Sequence, residues 1–136
     1  MPAAPAPRPA PAGPVARPLR QRVGAAGEAA AVRHLVAAGY TVLAVDWRCR
    51  LGQVDIVARD GDVLVVIEVK ARRGVGFGRP EEAVDARKQR RLQALLEAYR
   101  LRTGATGPCR IDVVGVLLDA RLEPREVTLV RNAVDG

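Results

Sequence analysis

Asp55, Glu68 and Lys70 stand in two stretches, QVDIVA (53–58) and VLVVIEVK (63–70), that are otherwise apolar. Both stretches read as β-strands, joined by a hairpin loop at Asp60-Gly61. Strand side chains alternate between faces, so Glu68 and Lys70, two residues apart, point the same way. A loop at Asp60-Gly61 pairs Arg59 with Asp62. Counting back sets Gln53 opposite Glu68 and Asp55 opposite Val66, so Gln53, Asp55, Glu68 and Lys70 share one face. Ions in such strands cost several kcal/mol each to bury unless they are paired or liganded. Two chemistries answer that cost: a structural Glu68–Lys70–Asp55 salt-bridge cluster, or a site for a divalent cation.

Helical spacing adds to the set. At 100° per residue, Glu28 lies within about 40° of Val32 and Leu35, on the apolar stripe of its helix. Lys88 falls between Val84 and Leu92 on the stripe of a second helix, where it could also be a lysine snorkelling over apolar surface. Hard divalent cations, Mg²⁺ or Mn²⁺, take oxygen ligands, typically one or two carboxylates completed by water and phosphate. A metal held by Asp55, Glu68 and Glu28 would polarise a phosphoryl oxygen and activate water. Lys70 beside it would orient that water or offset transition-state charge. No covalent nucleophile is required, in keeping with a single histidine, His34, and two distant cysteines, Cys49 and Cys109. Those counts leave no multi-histidine metal site and no disulfide scaffold, and fit a reducing, cytoplasmic compartment.

The elements that must position these residues follow in the order αβββαββ. GAAGEAAAVRHLVAAG (24–39) reads as a helix stopped at Gly39, YTVLAVD (40–46) as a strand and WRCRLG (47–52) as a loop. After the hairpin come a glycine-rich loop (71–80) and a long helix (81–103). CRIDVVGVLL (109–118) reads as a buried strand and EVTLVRNA (126–133) as an edge strand. Helices before and after a mixed sheet predict a three-layer α/β arrangement. The 136 residues, 49% hydrophobic, suffice for one domain with its own core. No apolar run is long enough for a membrane span.

The chain carries a net charge of +7, and all but two of its 22 Lys and Arg residues are arginine. Residues 1–22 hold seven of the ten prolines, four arginines and no acid, and are expected to form an extended, disordered tail ahead of a single domain over 23–136. The remaining body is mildly basic. Its basic groups gather in the glycine-rich loop, at Arg72, Arg73 and Arg79, and on the long helix, at Arg87, Lys88, Arg90 and Arg91, a pattern suited either to a solvated face or to phosphate contacts. Aromatic residues make up only 3% of the chain, too few for base-stacking platforms. A nucleic-acid partner, DNA before RNA, would be read by backbone and shape.

The segment LGQVDIVARDGDVLVVIEVKARRGVGFGRPEEAVDARKQRRL resembles the YraN-like family of small bacterial endonuclease-related proteins, and the likeness runs from about Gly24 to Leu118. Its motifs are G-x-x-G-E at Gly24–Glu28, G-E-x-D as Gly52-Gln53-Val54-Asp55, E-V-K-x-R at Glu68–Arg72, F-G-x-P at Phe77–Pro80, the helix lysine Lys88, and R-F-D as Arg110-Ile111-Asp112. The resemblance implies a restriction-endonuclease-like α/β/α fold, similar to archaeal Holliday-junction resolvases. The nuclease motif D…E-x-K falls on Asp55, Glu68 and Lys70, and the helix glutamate on Glu28. Gln53 departs from the pattern, replacing an acid by an amide. Three functions follow as alternatives: a Mg²⁺- or Mn²⁺-dependent DNA endonuclease selecting structure over sequence, a nuclease-like fold that binds nucleic acid without cutting it, and a small structural or interaction domain.

Overall fold

The computed structural model describes residues 17–74 and 84–132. Helix α1 (Leu19–Ala37) is followed by strands β1 (Thr41–Cys49), β2 (Gly52–Asp60) and β3 (Val63–Arg73), helix α2 (Ala86–Thr103), and strands β4 (Cys109–Leu118) and β5 (Pro124–Val130). The strands form one sheet in sequence order. All neighbours are antiparallel except β3 and β4, which α2 connects in parallel. The expected α/β class and αβββαββ order are borne out.

Each helix covers one face. Under α1, Ala30, Ala31 and Leu35 pack on Ile56, Ala58, Val65, Ile67, Val114 and Val116. Under α2, Leu92, Leu95, Leu96 and Tyr99 pack on Val54, Val57, Leu64, Val66 and Ile111. Central strands covered on both sides are continuously apolar, which is why Val63–Ile67 and Val113–Val116 read without alternation. The layers are therefore α1, sheet, α2. Among the described residues no helix is long and apolar enough to cross a membrane.

Local signals set the helix ends. Gly39, with φ +94°, follows α1 in the left-handed region that suits glycine. Asp85 caps α2, its Oδ1 accepting the Lys88 N–H at 2.8 Å.

Several boundaries differ from expectation. Helix α1 starts at Leu19, so residues 19–22 are helical, not part of an extended tail; residues 1–16 lie outside the described part. Packing of Val23 and Ala26 onto the sheet extends the helix past Gly24. WRCRLG is not a loop: β1 runs to Cys49 and turns at Arg50-Leu51 into β2, because Trp47 pairs with Val54 and stacks edge-on against Tyr99 at 5.4 Å. Strand β3 continues through Arg73 along β4, into the stretch expected to be loop. Helix α2 begins at Ala86, after Asp85.

The hairpin register is shifted by two. Asp60 pairs with Val63, so the turn residues are Gly61-Asp62, with Gly61 at φ +62°. Asp60 stays in the ladder, where its carboxylate meets Arg110 at 2.8 Å. A shift of two keeps side-chain parity, and Asp55, not Gln53, comes level with Glu68.

Candidate functional site

The β2–β3 ladder ends at Ile56↔Ile67. Beyond it the Asp55 carboxylate replaces the backbone ladder, Oδ2 accepting the Val69 N–H at 2.8 Å. Alternation fails at the same point. Ile56 packs in the α1-side core, yet Val54, two residues away, packs in the α2-side core. Opposite on β1, Asp46 has φ +54° and interrupts the pairing between Val45↔Ile56 and Trp47↔Val54. Aspartate tolerates this left-handed backbone better than most residues. The distortion opens the sheet at one end and leaves Asp55 at the opening.

Two other acids act on the Asp55 charge there. The Asp55 carboxyl is pushed up to about 6 by burial first, then by the negative charges of Glu68 and Glu28; the Val69 hydrogen bond and Lys88 oppose the rise. Glu28 is also held above the usual carboxylate range, by burial and then by Asp46. Gly27 sets Glu28 in place. A Cβ on Gly27 would fall well inside contact distance of Ala71 Cβ, so only glycine lets α1 lie this close to β3.

Asp46, Glu28, Gln53, Asp55 and Lys70 line an open cleft of about 950 Å³. Arg17, Arg20, Arg48, Arg72 and Arg73 form its basic walls. Glu68 turns instead toward α2, where it forms an ion pair with Lys88, two half-buried side chains in direct contact. Lys88 opens onto a second hollow of about 400 Å³ beside Arg87 and Arg91.

The structure thus sets Asp55, Glu28 and Lys70 in one cleft, while Glu68 stays outside its lining, near enough to act on the Asp55 charge. The salt-bridge alternative, in which Glu68 pairs with Lys70, is corrected: the ion-pair partner of Glu68 is Lys88, which reaches it from the helix packed over that face. Gln53 is not opposite Glu68; it is exposed and paired with Arg48 of β1, although it shares the cleft with Asp55. Arg72, Arg73, Arg87, Arg90 and Arg91 are exposed. Arg79 lies outside the described residues. Asp46, Arg17, Arg20 and Arg48 were not singled out from sequence; the acid in a strand beside a Trp-Arg pair carried no periodic signal.

A second polar cluster occupies the α1-side face away from the cleft. Asp112, fully buried, accepts hydrogen bonds from Tyr40 Oη at 2.6 Å, Arg110 Nε at 2.7 Å, Arg110 Nη2 at 2.8 Å and the Asn132 N–H at 2.8 Å. Arg131 Nε donates to Tyr40 Oη at 3.1 Å. The paired carboxylates hold the Arg110 guanidinium above its ordinary value, Asp112 foremost. Every partner here is a donor or an opposite charge, which marks a structural cluster.

Fold and cleft together define a class: a three-layer α/β/α domain whose central hairpin opens onto a group of carboxylates between basic walls. The chain belongs to the uncharacterised protein family UPF0102, whose family model matches residues 27–116, and the resemblance to YraN-like proteins is borne out. It is 49% identical to a UPF0102 protein of Symbiobacterium thermophilum over 118 residues, covering 85% of this chain and 98% of that protein. A UPF0102 protein of Streptomyces coelicolor is 52% identical over 108 residues, 77% of this chain and 83% of its own length.

Proposed function

We propose that this protein is a divalent-metal-dependent nuclease that hydrolyses phosphodiester bonds in DNA, selecting its substrate by structure and not by sequence. The observation that carries this reading is Asp55: a carboxylate at an open sheet end, facing two other acids, with one backbone hydrogen bond and a cleft walled by arginines. Mutual repulsion among acids is the condition a divalent cation relieves.

The donor set fits Mg²⁺ or Mn²⁺. Among the described residues no three His, Cys, Asp or Glu side chains form a ready cage. Asp55 and Glu68 supply the one or two carboxylates that Mg²⁺ commonly takes, with water filling the rest, and Glu28 stands by as a ligand or water acceptor. When bound, the metal would supply an activated water and a polarised phosphoryl oxygen. The Lys70 ammonium would orient that water and offset charge on phosphorus. Arg48, Arg72 and Arg73 would hold the phosphates on one side of the site, and Arg87, Arg90 and Arg91 on the other. With only 3% aromatic residues in the chain, contacts would fall on the backbone.

A second reading, binding of nucleic acid with little or no cleavage, is favoured by Gln53, which lacks the family acid, and by Lys88, which already neutralises Glu68. A metal-dependent cleavage screen over linear, nicked, flap and four-way DNA separates the two. Cleavage with Mg²⁺ or Mn²⁺ that falls by roughly 10²-fold or more in Glu68→Ala and Lys70→Ala supports the nuclease. Binding without cleavage supports the second reading, and full activity in either variant rejects the site.

A further inference from the structure

Lys88 is one of only two lysines in the chain, and its side chain points inward from the apolar stripe of α2. Its backbone is pinned by the Asp85 cap at the helix start. Its ammonium meets Glu68 Oε1, with the lysine side chain 25% and the glutamate 13% exposed, so solvent screens the pair weakly. The same positive charge acts on Asp55, opposing Glu68 and Glu28. Lys88 therefore stands to the carboxylates as a divalent cation would. An ammonium in contact with Oε1 takes up part of the carboxylate's acceptor capacity, and at that distance its charge would repel a divalent cation.

We propose that the Lys88 ammonium is the resident counter-cation of the Glu68 and Asp55 carboxylates, and that a divalent cation enters only by displacing it. The inference rests on the metal-dependent reading above. Displacement has somewhere to go: the hollow beside Lys88 is lined by Arg87, Arg91 and the Asp85 carboxylate, which a released ammonium could face. A released ammonium there joins two guanidiniums facing solvent, so metal loading adds a cation to the surface proposed to meet phosphate. Metal and phosphodiester binding then reinforce each other, and the metal-free protein is kept from exposing an unneutralised acid pair.

The test is Mn²⁺ titration calorimetry on the full chain and on Lys88→Met and Lys88→Arg. Removing a competitor should tighten Mn²⁺ binding by roughly tenfold, within the usual range for coupled sites. Lys88→Arg, which keeps the charge, should stay near the unaltered protein. Affinity that is unchanged or weaker in Lys88→Met overturns the displacement. The unaltered protein offers a second measurement, independent of whether the variant folds: amine acetylation followed by peptide mass mapping, with Lys70 and Lys88 read separately. Lys88 should label several-fold faster with Mn²⁺ than with EDTA. Equal labelling at saturating Mn²⁺ overturns the proposal and leaves the metal site standing. No Mn²⁺ binding by any of the three proteins overturns both this inference and the metal-dependent reading.

Discussion

Asp112 and Asp55 are both acids on buried strands of one sheet, and their surroundings are opposite. Asp112 is fully buried and receives hydrogen bonds from Tyr40, Arg110 and Asn132, with Arg110 as its counter-charge. Among the described residues Asp55 receives one hydrogen bond, from Val69, and its charge meets those of Glu68 and Glu28. The first arrangement satisfies a charge completely and so ties β4 to β2, β5 and the start of β1. The second leaves a charge short of partners at the one place where the hairpin opens. Burial of an acid is therefore not what distinguishes a site from a structural cluster. The distinction lies in whether the neighbours answer the charge or add to it.

The largest expected effect is at the satisfied acid. Asp112→Ala removes four hydrogen bonds and leaves the Arg110 guanidinium with Asp60 as its remaining counter-charge, and should cost about 3 kcal/mol in urea unfolding. Mn²⁺ affinity per folded molecule should not change. A loss below about 1 kcal/mol would erase the contrast between the two acids.

Asp55→Asn should act in the other direction. The Asp55 carboxyl titrates at about 6 in the folded protein against 3.8 when free. The folded state thus holds this proton more tightly, and the stability it contributes is fully present below pH 3.8 and lost as pH rises through about 6. The charged form then burdens the fold by up to about 3 kcal/mol. Asn keeps an acceptor for the Val69 N–H without the charge. In EDTA, Asp55→Asn should be the more stable protein at pH 8 by about 1–2 kcal/mol, with the gap closing toward pH 4. Mn²⁺ should no longer stabilise it. A variant less stable than the unaltered protein at pH 8 would place Asp55 with the structural acids.

Gly27→Ala sharpens the geometry. The added Cβ runs into Ala71, and the strain of about 1–3 kcal/mol is partly offset by the better helix propensity of alanine, about 1 kcal/mol. The net effect should be a destabilisation near 1 kcal/mol together with weaker Mn²⁺ binding, as α1 lifts Glu28 away from the site. Unaltered Mn²⁺ binding would remove Glu28 from the acid group.

The smallest effect is expected at Gln53. Because it is exposed and paired with Arg48, Gln53→Glu should change metal-free stability by less than about 0.5 kcal/mol. It still adds a charge to the cleft, so the melting shift produced by Mn²⁺ should widen. Equal shifts in the two proteins would show that position 53 does not sense the metal.

Much of this was legible along the chain. Hydrophobic alternation, the glycine after α1 and the long apolar stripe of α2 are local patterns with periods of 2 and 3.6 residues, and they located all seven elements and the extra acids within them. Parity in the hairpin survived a register error because the error was an even number of residues. The β1–β2 hairpin was not legible: Trp47 and Cys49 sit in strand only because α2 offers Tyr99 for Trp47 to stack on.

The sequence by itself determined which residues are out of place, since an acid or a lysine in an apolar strand or stripe is a local anomaly with a cost that must be met. Only the tertiary structure decided how each cost is met. Glu68 takes Lys88 from α2 and not its strand neighbour Lys70, because the helix docks over that face and delivers the nearer ammonium. Asp112 finds Tyr40 across 72 residues and Asn132 across 20, through sheet neighbours that no periodicity encodes. Asp55 is left among acids because the ladder ends and the strands part beside it. Partner choice depends on distances between elements, and those are set by how two separate cores pack on the two faces of one sheet.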